Sequence, residues 1–472
     1  MTKNKNKNIN PIARTGLLVL AMVLFLLIPT SCGSQNNEDE TRFVLESDCP
    51  YLYDFHYLIR LMEDTFPHFG VVYRNFGVDV RQLADEAMER IANHPGMDDN
   101  ILFDEIADLF IPLLPVVHAQ PLFYQTFPLW KYRFGGAGVG QLISEGSAFN
   151  ANTFNNVRSI EFYERQRQAG WDMTPQTEEA FALRPAIHTD LDNFPVQPAW
   201  NRIAATYIIE EGRIAYMNIP TFMHHGAGGI ERGSLFNFYT EIQDYEHLII
   251  DIRNNGGGYT FFWENNIMLP LSNNAPVVPI YNFFPQSERG LKFAQIFADD
   301  HYQKGIGADL VTSESFSANY AYPISISEFL NDRQFPYLNQ SDLQYLGYVV
   351  PLTQSVRNLN PMWYVPEIPF HGQIWLLINP VNASSASMFA RHAKDSGFAT
   401  LVGEQTGGHF GAGTLRIFFP LPNTGIIVTW DVGYKTDQYG RSWEEFRVMP
   451  HHQNMPGMDA LETVLFLINE GY

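Results

Sequence analysis

A mixed α/β core preceded by a small helical domain is the architecture this sequence predicts, and three observations predict it. Two short apolar runs, Leu248–Ile252 and Ile374–Ile378, each end in a turn-forming segment that leads into a helical pattern. Ahead of them, residues 48–114 carry helical rather than strand periodicity. Val80, Leu83, Ala84, Ala87, Met88 and Ile91 fall on one helical face, with Asp79 placed as N-cap and Pro95-Gly96 as stop. A second helix starts at Asp98 or Asp99 and lines up Leu102, Ile106, Leu109, Phe110 and Leu113. Residues 119–200 are rich in Asn, Gly, Phe and Pro, show no sustained period, and read as an irregular cap or insert. From Tyr207 onward the pattern alternates: a strand over Arg213–Ile219, a helix over Leu235–Ile242, the two buried strands, and a helix from Ser384 to Asp395. In such a domain the chemistry belongs at the strand ends.

Composition narrows the function by exclusion. The 472 residues carry 30 basic and 51 acidic side chains, a formal charge of −21, which is the wrong sign for clustered phosphate contacts and excludes a nucleic-acid partner. Two cysteines are too few for a disulfide scaffold or a cysteine zinc ribbon. No His-Glu-x-x-His is present, and the adjacent pairs His224-His225 and His451-His452 diverge on a strand, so no metal is expected. Gly136-Ala137-Gly138-Val139-Gly140 lacks the spacing of a dinucleotide loop, and no cofactor is expected either.

The N-terminus reads as an export signal. Lys3, Lys5, Lys7 and Arg14 precede the apolar run Leu17–Ile28, too short for a comfortable membrane span, and Pro29-Thr30-Ser31-Cys32 follows. That ending resembles a bacterial lipoprotein signal in which Cys32 is lipidated and becomes the mature N-terminus, although Pro29 stands where Leu is usual. Residues 1–31 are then the signal peptide and 32–46 an acidic tether. Removing four cations and no acids deepens the charge to −25 and leaves Cys49 as a lone thiol. The expected location is the cell envelope, lipid-anchored at the outer membrane or cell surface.

Two strand ends carry unusual content. Arg253-Asn254-Asn255-Gly256-Gly257-Gly258 exposes backbone N–H groups that can be aimed at an anionic oxygen. Asn382-Ala383-Ser384-Ser385-Ala386-Ser387 opens a helix, where a serine serves first as an N-cap; the segment lacks the G-x-S-x-G elbow.

Together, LIIDIRNNGGG and, farther on, NASSASMFARHAKDSGFATLVGEQTGGHFGAG resemble the C-terminal processing peptidases, serine peptidases that include the tail-specific proteases and the tricorn core. The resemblance covers residues 205–472 and, more weakly, the helical segment 50–125. It implies a Clp-protease/crotonase-like α/β core over 204–472, a helical domain over 47–118, and an insert over 119–203. It also implies that Ser385 is the nucleophile, with Ser384 as the competing assignment, and that Ala386 and Gly256, Gly257 and Gly258 form the oxyanion hole. The catalytic lysine of the tail-specific branch is missing, since His409 stands in its place and lines the site. The tricorn-like branch supplies a histidine from the helical region, which here is His118, and a C-terminal acid, which here is Glu444, with Glu445 as its neighbour. Val117 and Met388 stand where that branch has polar groups, and Arg447 and His451 replace its Gly and Asp. No carboxylate-binding PDZ loop is found in 119–200. The expected function is cleavage of peptide or protein substrates through an acyl-enzyme. The alternative is a degenerate member that keeps the cleft for binding; the sequence leaves the oligomeric state unassigned.

Overall fold

The computed structural model describes residues 49–472 apart from 115, 129, 132–144, 171–203, 223–227, 274–276, 304–322, 332, 356–364 and 409–415. The readings made for Cys32, the tether, Gly136–Gly140, His224-His225 and His409 therefore lie outside the described residues.

The N-terminal helices follow their caps. α1 (Pro50–Thr65) starts at Cys49, whose sulfur accepts the Leu52 N–H, and α2 (Phe69–Phe76) ends at Gly77 in the left-handed region. Asp79 caps α3 (Val80–Asn93) by accepting the Arg81 and Gln82 N–H groups, and Asp98 caps α4 (Asp99–Phe110) in the same way. The segment read as irregular contains two helices, α5 (Glu145–Phe154) and α6 (Val157–Ala169), with Asn156 capping the second. Their apolar positions are aromatic and sparse, so the period is weak in sequence; contacts with distant strands hold them. The Asn150 side chain pairs with the Arg416 carbonyl and the Phe418 N–H, and the Thr153 hydroxyl donates to the Phe418 carbonyl.

A six-stranded sheet carries the α/β core. Its strands are β2 (Ala205–Glu210), β3 (Ile214–Asn218), β4 (His247–Asp251), β8 (Gln373–Ile378), β9 (Thr400–Gly403) and β13 (His452–Gln453), in the order β13-β9-β8-β4-β3-β2. All neighbours are parallel except the β2–β3 pair. Leu248, Ile250, Leu376 and Ile378 point into one core, while Ile249, Trp375 and Leu377 point into another on the opposite face. Burial on both sides is why these strands read as continuous apolar runs rather than alternating ones. The first face is covered by α7 (Gly228–Ile242), by α8 (Thr260–Trp263), which continues through a π-turn (Glu264–Met268), and by α11 (Ser385–Asp395). The second is covered by α12 (Ala460–Asn469), which has a complete capping box at Asp459 and Glu462. Its Val464, Leu467 and Ile468 are buried there, worth roughly 1.5–3 kcal/mol each.

Two antiparallel sheets build the other half. One joins β12 (Tyr434–Thr436), β5 (Val277–Pro285), β7 (Leu346–Ser355) and β6 (Ile324–Ser325), flanked by α9 (Glu288–Gln303) and α10 (Ile326–Asn331). The other joins β1 (Gln120–Pro121), β11 (Ile427–Asp431) and β10 (Arg416–Pro420). The N-terminal helices do not close a core of their own. Phe55, Leu58, Phe103, Ile106 and Phe110 share one continuous core with Phe283, Val349, Phe418 and Trp430. The buried Asp54 carboxylate locks this seam by accepting hydrogen bonds from the backbone and side chains of Asn423 and Thr424. Among the described residues no helix is long and apolar enough to cross a membrane.

Candidate active site

The loops that leave β4 and β8 lie side by side at the carboxyl edge of the parallel sheet and are stapled by four asparagines. Asn254 and Asn379 exchange hydrogen bonds: the Asn254 N–H donates to Asn379 Oδ1 (3.1 Å), and Asn379 Nδ2 donates to Asn254 Oδ1 (2.8 Å). Asn382 Nδ2 donates to the Ile252 and Asn255 carbonyls, and Asn255 Nδ2 donates to the Ile219 carbonyl. Asn254 itself sits at φ +66°, a left-handed conformation that asparagine tolerates better than most residues.

The staple brings the triple-glycine turn against the serine segment. At Gly257 (φ +105°) a Cβ would come within 2.8 Å of the Ala383 carbonyl oxygen and 2.9 Å of the Ser385 nitrogen, so only glycine fits. The three glycines are not equivalent. The Gly257 N–H is taken by Asn255 Oδ1 at 2.8 Å, which removes it from the expected oxyanion donors. Phe222, after β3, donates to the Gly257 carbonyl and accepts from the Tyr259 N–H, so the intervening Gly258 N–H is not used in this bridge. Gly256 is exposed.

The two serines are sharply distinguished. Ser384 occupies the N-cap of α11 at φ +51°, ψ −126°, one of only two non-glycine residues with positive φ among those described. Such a conformation costs of order 1–3 kcal/mol and is the hallmark of a strained strand-to-helix turn that presents a nucleophile. Its hydroxyl makes no capping bond, and the residue is partly exposed. Ser385, expected to attack, is wholly buried, and its Oγ accepts the indole N–H of Trp263 at 3.0 Å. An interior hydroxyl bonded to an indole is poorly presented to a substrate carbonyl, which sets Ser385 behind its neighbour Ser384. The expectation for Ala386 is corrected, because its N–H already donates to the Ala383 carbonyl at 3.0 Å. The Ser385 N–H is the first in α11, where no intrahelical acceptor exists, and it has no acceptor among the described residues. Beside it, the Ser384 N–H donates to the Gly408 carbonyl at 3.0 Å. Met388 lies within the apolar core under α11, which is why an acid is not found there.

His118 comes from the other half of the molecule, just before β1. Both its backbone N–H and its Nδ1 face Asp431 Oδ2 at 3.3 Å, at the end of β11. The ring is about one-third exposed and the carboxylate buried. Asp431 is thus an acid that this geometry places on His118. Val117 is buried in the shared core and has no relay to perform. Glu445 is committed to Arg74, which also clamps Asp342. Glu444 is buried beside Lys435, a residue sequence reasoning did not single out.

Lys435 ties the two halves together. It lies on β12, only 3% exposed, with its Nζ 5.3 Å from the Trp443 ring. Burial pulls its ammonium down to about 8, against the opposing pull of Asp431 and Glu444. Its positive charge also reaches His392 on α11, whose ring packs on Trp263 (5.1 Å between centroids). Burial holds His392 and His68 neutral, each pushed down to about 4. Opposite Lys435 on β5 stands Asn282, whose buried side-chain amide has no partner among the described residues. The sequence held one signal for this cluster, an Asp that closes the largely apolar strand Ile427–Asp431.

Among the described residues no three His, Cys, Asp or Glu side chains gather as metal ligands. The structure offers an unbonded serine hydroxyl on a strained turn with the Ser385 N–H beside it and, on the other half of the molecule, a carboxylate-oriented histidine. Those are the parts that acyl transfer requires.

Comparison with known proteins gives a consistent result. A protein of Parabacteroides merdae described as a peptidase is similar over 88% of this chain and 95% of its own, at 14% identity and TM-score 0.47. Mature CPAF is similar over 86% and 92%, at 14% identity and TM-score 0.46. A lipoprotein from Streptococcus agalactiae is similar over 91% and 100%, at 12% identity and TM-score 0.42. No curated protein sequence matches. Residues 213–453, half of the chain, match the profile of peptidase family S41, and the chain therefore belongs to that family, the C-terminal processing peptidases, whose function is of the serine-protease type.

Proposed function

We propose that the protein is an endopeptidase of the cell envelope that cuts peptide or protein substrates through an acyl-enzyme on Ser384. The observation that carries this reading is the strained Ser384 turn, with its unengaged hydroxyl set beside the Ser385 N–H. Ser384 Oγ attacks the scissile carbonyl, and its proton passes to His118. Asp431 holds the Nδ1 proton, so Nε2 is the basic nitrogen. The Ser385 and Gly258 N–H groups receive the developing oxyanion. The collapsing intermediate expels the amine, which takes its proton from His118, and water then releases the acyl group by the same path in reverse. Glu444 serves Lys435 in this reading, balancing a buried ammonium that faces Asp431.

A fluorophosphonate probe tests the assignment. Wild-type protein and Ser385→Ala are expected to label, and Ser384→Ala is not. Absence of wild-type labelling would favour a member that only binds.

Export and a lipid anchor on Cys32 complete the proposal. A thioether at Cys32 and a disulfide to Cys49 are exclusive uses of one sulfur, since the chain has only these two cysteines. Intact mass of the protein from the membrane fraction discriminates them: acyl-chain mass supports the anchor, and a non-acylated, disulfide-linked mass retires it.

A further inference from the structure

The strip that follows Glu444 is tied by hydrogen bonds to α11 and to the loop around Thr406. The Phe446 carbonyl accepts a hydrogen bond from the Arg391 guanidinium, and the Met449 carbonyl accepts one from Lys394 Nζ at 2.6 Å. Between them, Val448 accepts from the Thr406 N–H (3.0 Å) and donates to the Thr406 hydroxyl (3.2 Å). Arg447 projects from this fixed ledge onto the Gly408 loop, where its Nε and Cγ lie 3.7 and 3.8 Å from where a Cβ on Gly408 would sit. The Gly408 carbonyl is the group that receives the Ser384 N–H. The guanidinium is thus one residue layer from the proposed nucleophile.

The charges around Arg447 are already spoken for. Glu444 is buried with Lys435, and Glu445 forms two 2.8 Å hydrogen bonds with Arg74. Arg441 pairs with Asp437 and stacks between Tyr337 and Tyr439, while Arg391 and Lys394 donate to backbone carbonyls. Arg447 is partly exposed, and its guanidinium has no acceptor among the described residues. In a chain of formal charge −21, an unpaired arginine fixed beside a reactive serine stands apart. Its planar fork suits a carboxylate, and the partial burial of its ledge strengthens such a pair relative to open water.

We propose that Arg447 forms an anion subsite beside Ser384 that selects substrate peptides carrying a carboxylate close to the scissile bond. This inference rests on the peptidase reading above and names a substrate class for it. The carboxylate meant here is that of an acidic side chain, Asp or Glu, whose planar group matches the guanidinium.

Binding to the non-cleaving Ser384→Ala protein tests the subsite separately from hydrolysis. The probes are fluorescein-labelled short peptides from a positional-scanning library, with Glu or Gln at each position and either a free or an amidated C-terminus. Anisotropy is expected to show roughly tenfold tighter binding for one carboxylate arm. That preference should vanish in Ser384→Ala/Arg447→Gln, survive in part in Ser384→Ala/Arg447→Lys, and weaken with salt. A preference lost on Glu to Gln exchange supports the side-chain subsite; one lost only on amidation overturns it. Equal binding of all arms, no binding of any acidic peptide, or a preference that Arg447→Gln leaves intact each overturns the subsite. Failure of wild-type protein to turn over any peptide would count against the peptidase reading alone.

Discussion

The serine turn and the His118 pocket are built by opposite means. The turn is made from neutral groups: two loops after neighbouring parallel strands, four asparagine amides, and a glycine that lets the loops touch. The pocket is made from charges: Asp431, Lys435 and Glu444, buried at the junction of two antiparallel sheets and the N-terminal helices. The first region stores strain at one residue, Ser384. The second holds ions out of water, where each charge depends on its partners. On the proposed reading, the difference teaches that the nucleophile is set by backbone geometry and its base by electrostatics. Substitutions in the two regions should fail in different ways.

The largest effect is expected from Ser384→Ala, which should lower kcat by roughly 10^4-fold or more while leaving the fold intact. Ser385→Ala should keep activity but strand the Trp263 indole N–H, costing about 1–3 kcal/mol in denaturant unfolding. If the two variants exchanged these outcomes, the assignment of the strained turn would be lost.

Asp431→Asn should leave binding near normal and cut kcat by roughly 10^2- to 10^4-fold, since the histidine tautomer is no longer fixed. Glu444→Gln tests the contrast: a loss equal to that of Asp431→Asn would show that the two acids act on His118 alike. Gly257→Ala, which drives a methyl against the Ser385 nitrogen, should lower kcat by about 10^2-fold through the oxyanion donor.

The pH responses of the pocket are smaller. Lys435 loses its proton near 8, leaving Asp431 and Glu444 uncompensated, with the imidazoles of His118, His68 and His392 facing the cluster's charges. An alkaline limb near that pH is expected in kcat/KM for the wild type and not for Lys435→Met. His68 and His392 stay neutral in the folded state down to about 4, whereas unfolded histidines protonate near 6.5. Below that value the unfolded state binds more protons, so stability should be present above about 6.5 and decline as pH falls toward 4. The loss is of order 3 kcal/mol for each group. Thermal unfolding of His392→Gln, compared with wild type across that window, should show a shallower decline.

Much of the parallel sheet was legible because its cause is local. Leu248–Ile252 and Ile374–Ile378 are apolar on both faces, and the caps at Asp79 and Asp98 announce their helices. The antiparallel half was less legible. Helix α5 draws on Arg416 and Phe418, and α6 on Pro422 and Ile427, far along the chain, and nothing within 145–169 displays that dependence. The site followed the same division. The glycine turn and the serine segment stood out as motifs, and His118 was reached through resemblance. The choice of Ser384 over Ser385 turned on a single φ value and a tryptophan, neither of which spacing reveals.

Asp431 was missed for a related reason. Its partner His118 is 313 residues away in sequence, and an acid closing an apolar strand looks like a strand end. Lys435 was missed because a lysine two residues past a glycine ordinarily points to water. By itself, the sequence determined the class of fold, the pairing of a glycine turn with a serine helix start, and the acidic balance, since these depend on near neighbours and composition. The tertiary structure decided which serine is presented, which N–H groups remain available and which acid meets the histidine. Those depend on atoms brought together only when the two halves of the chain pack.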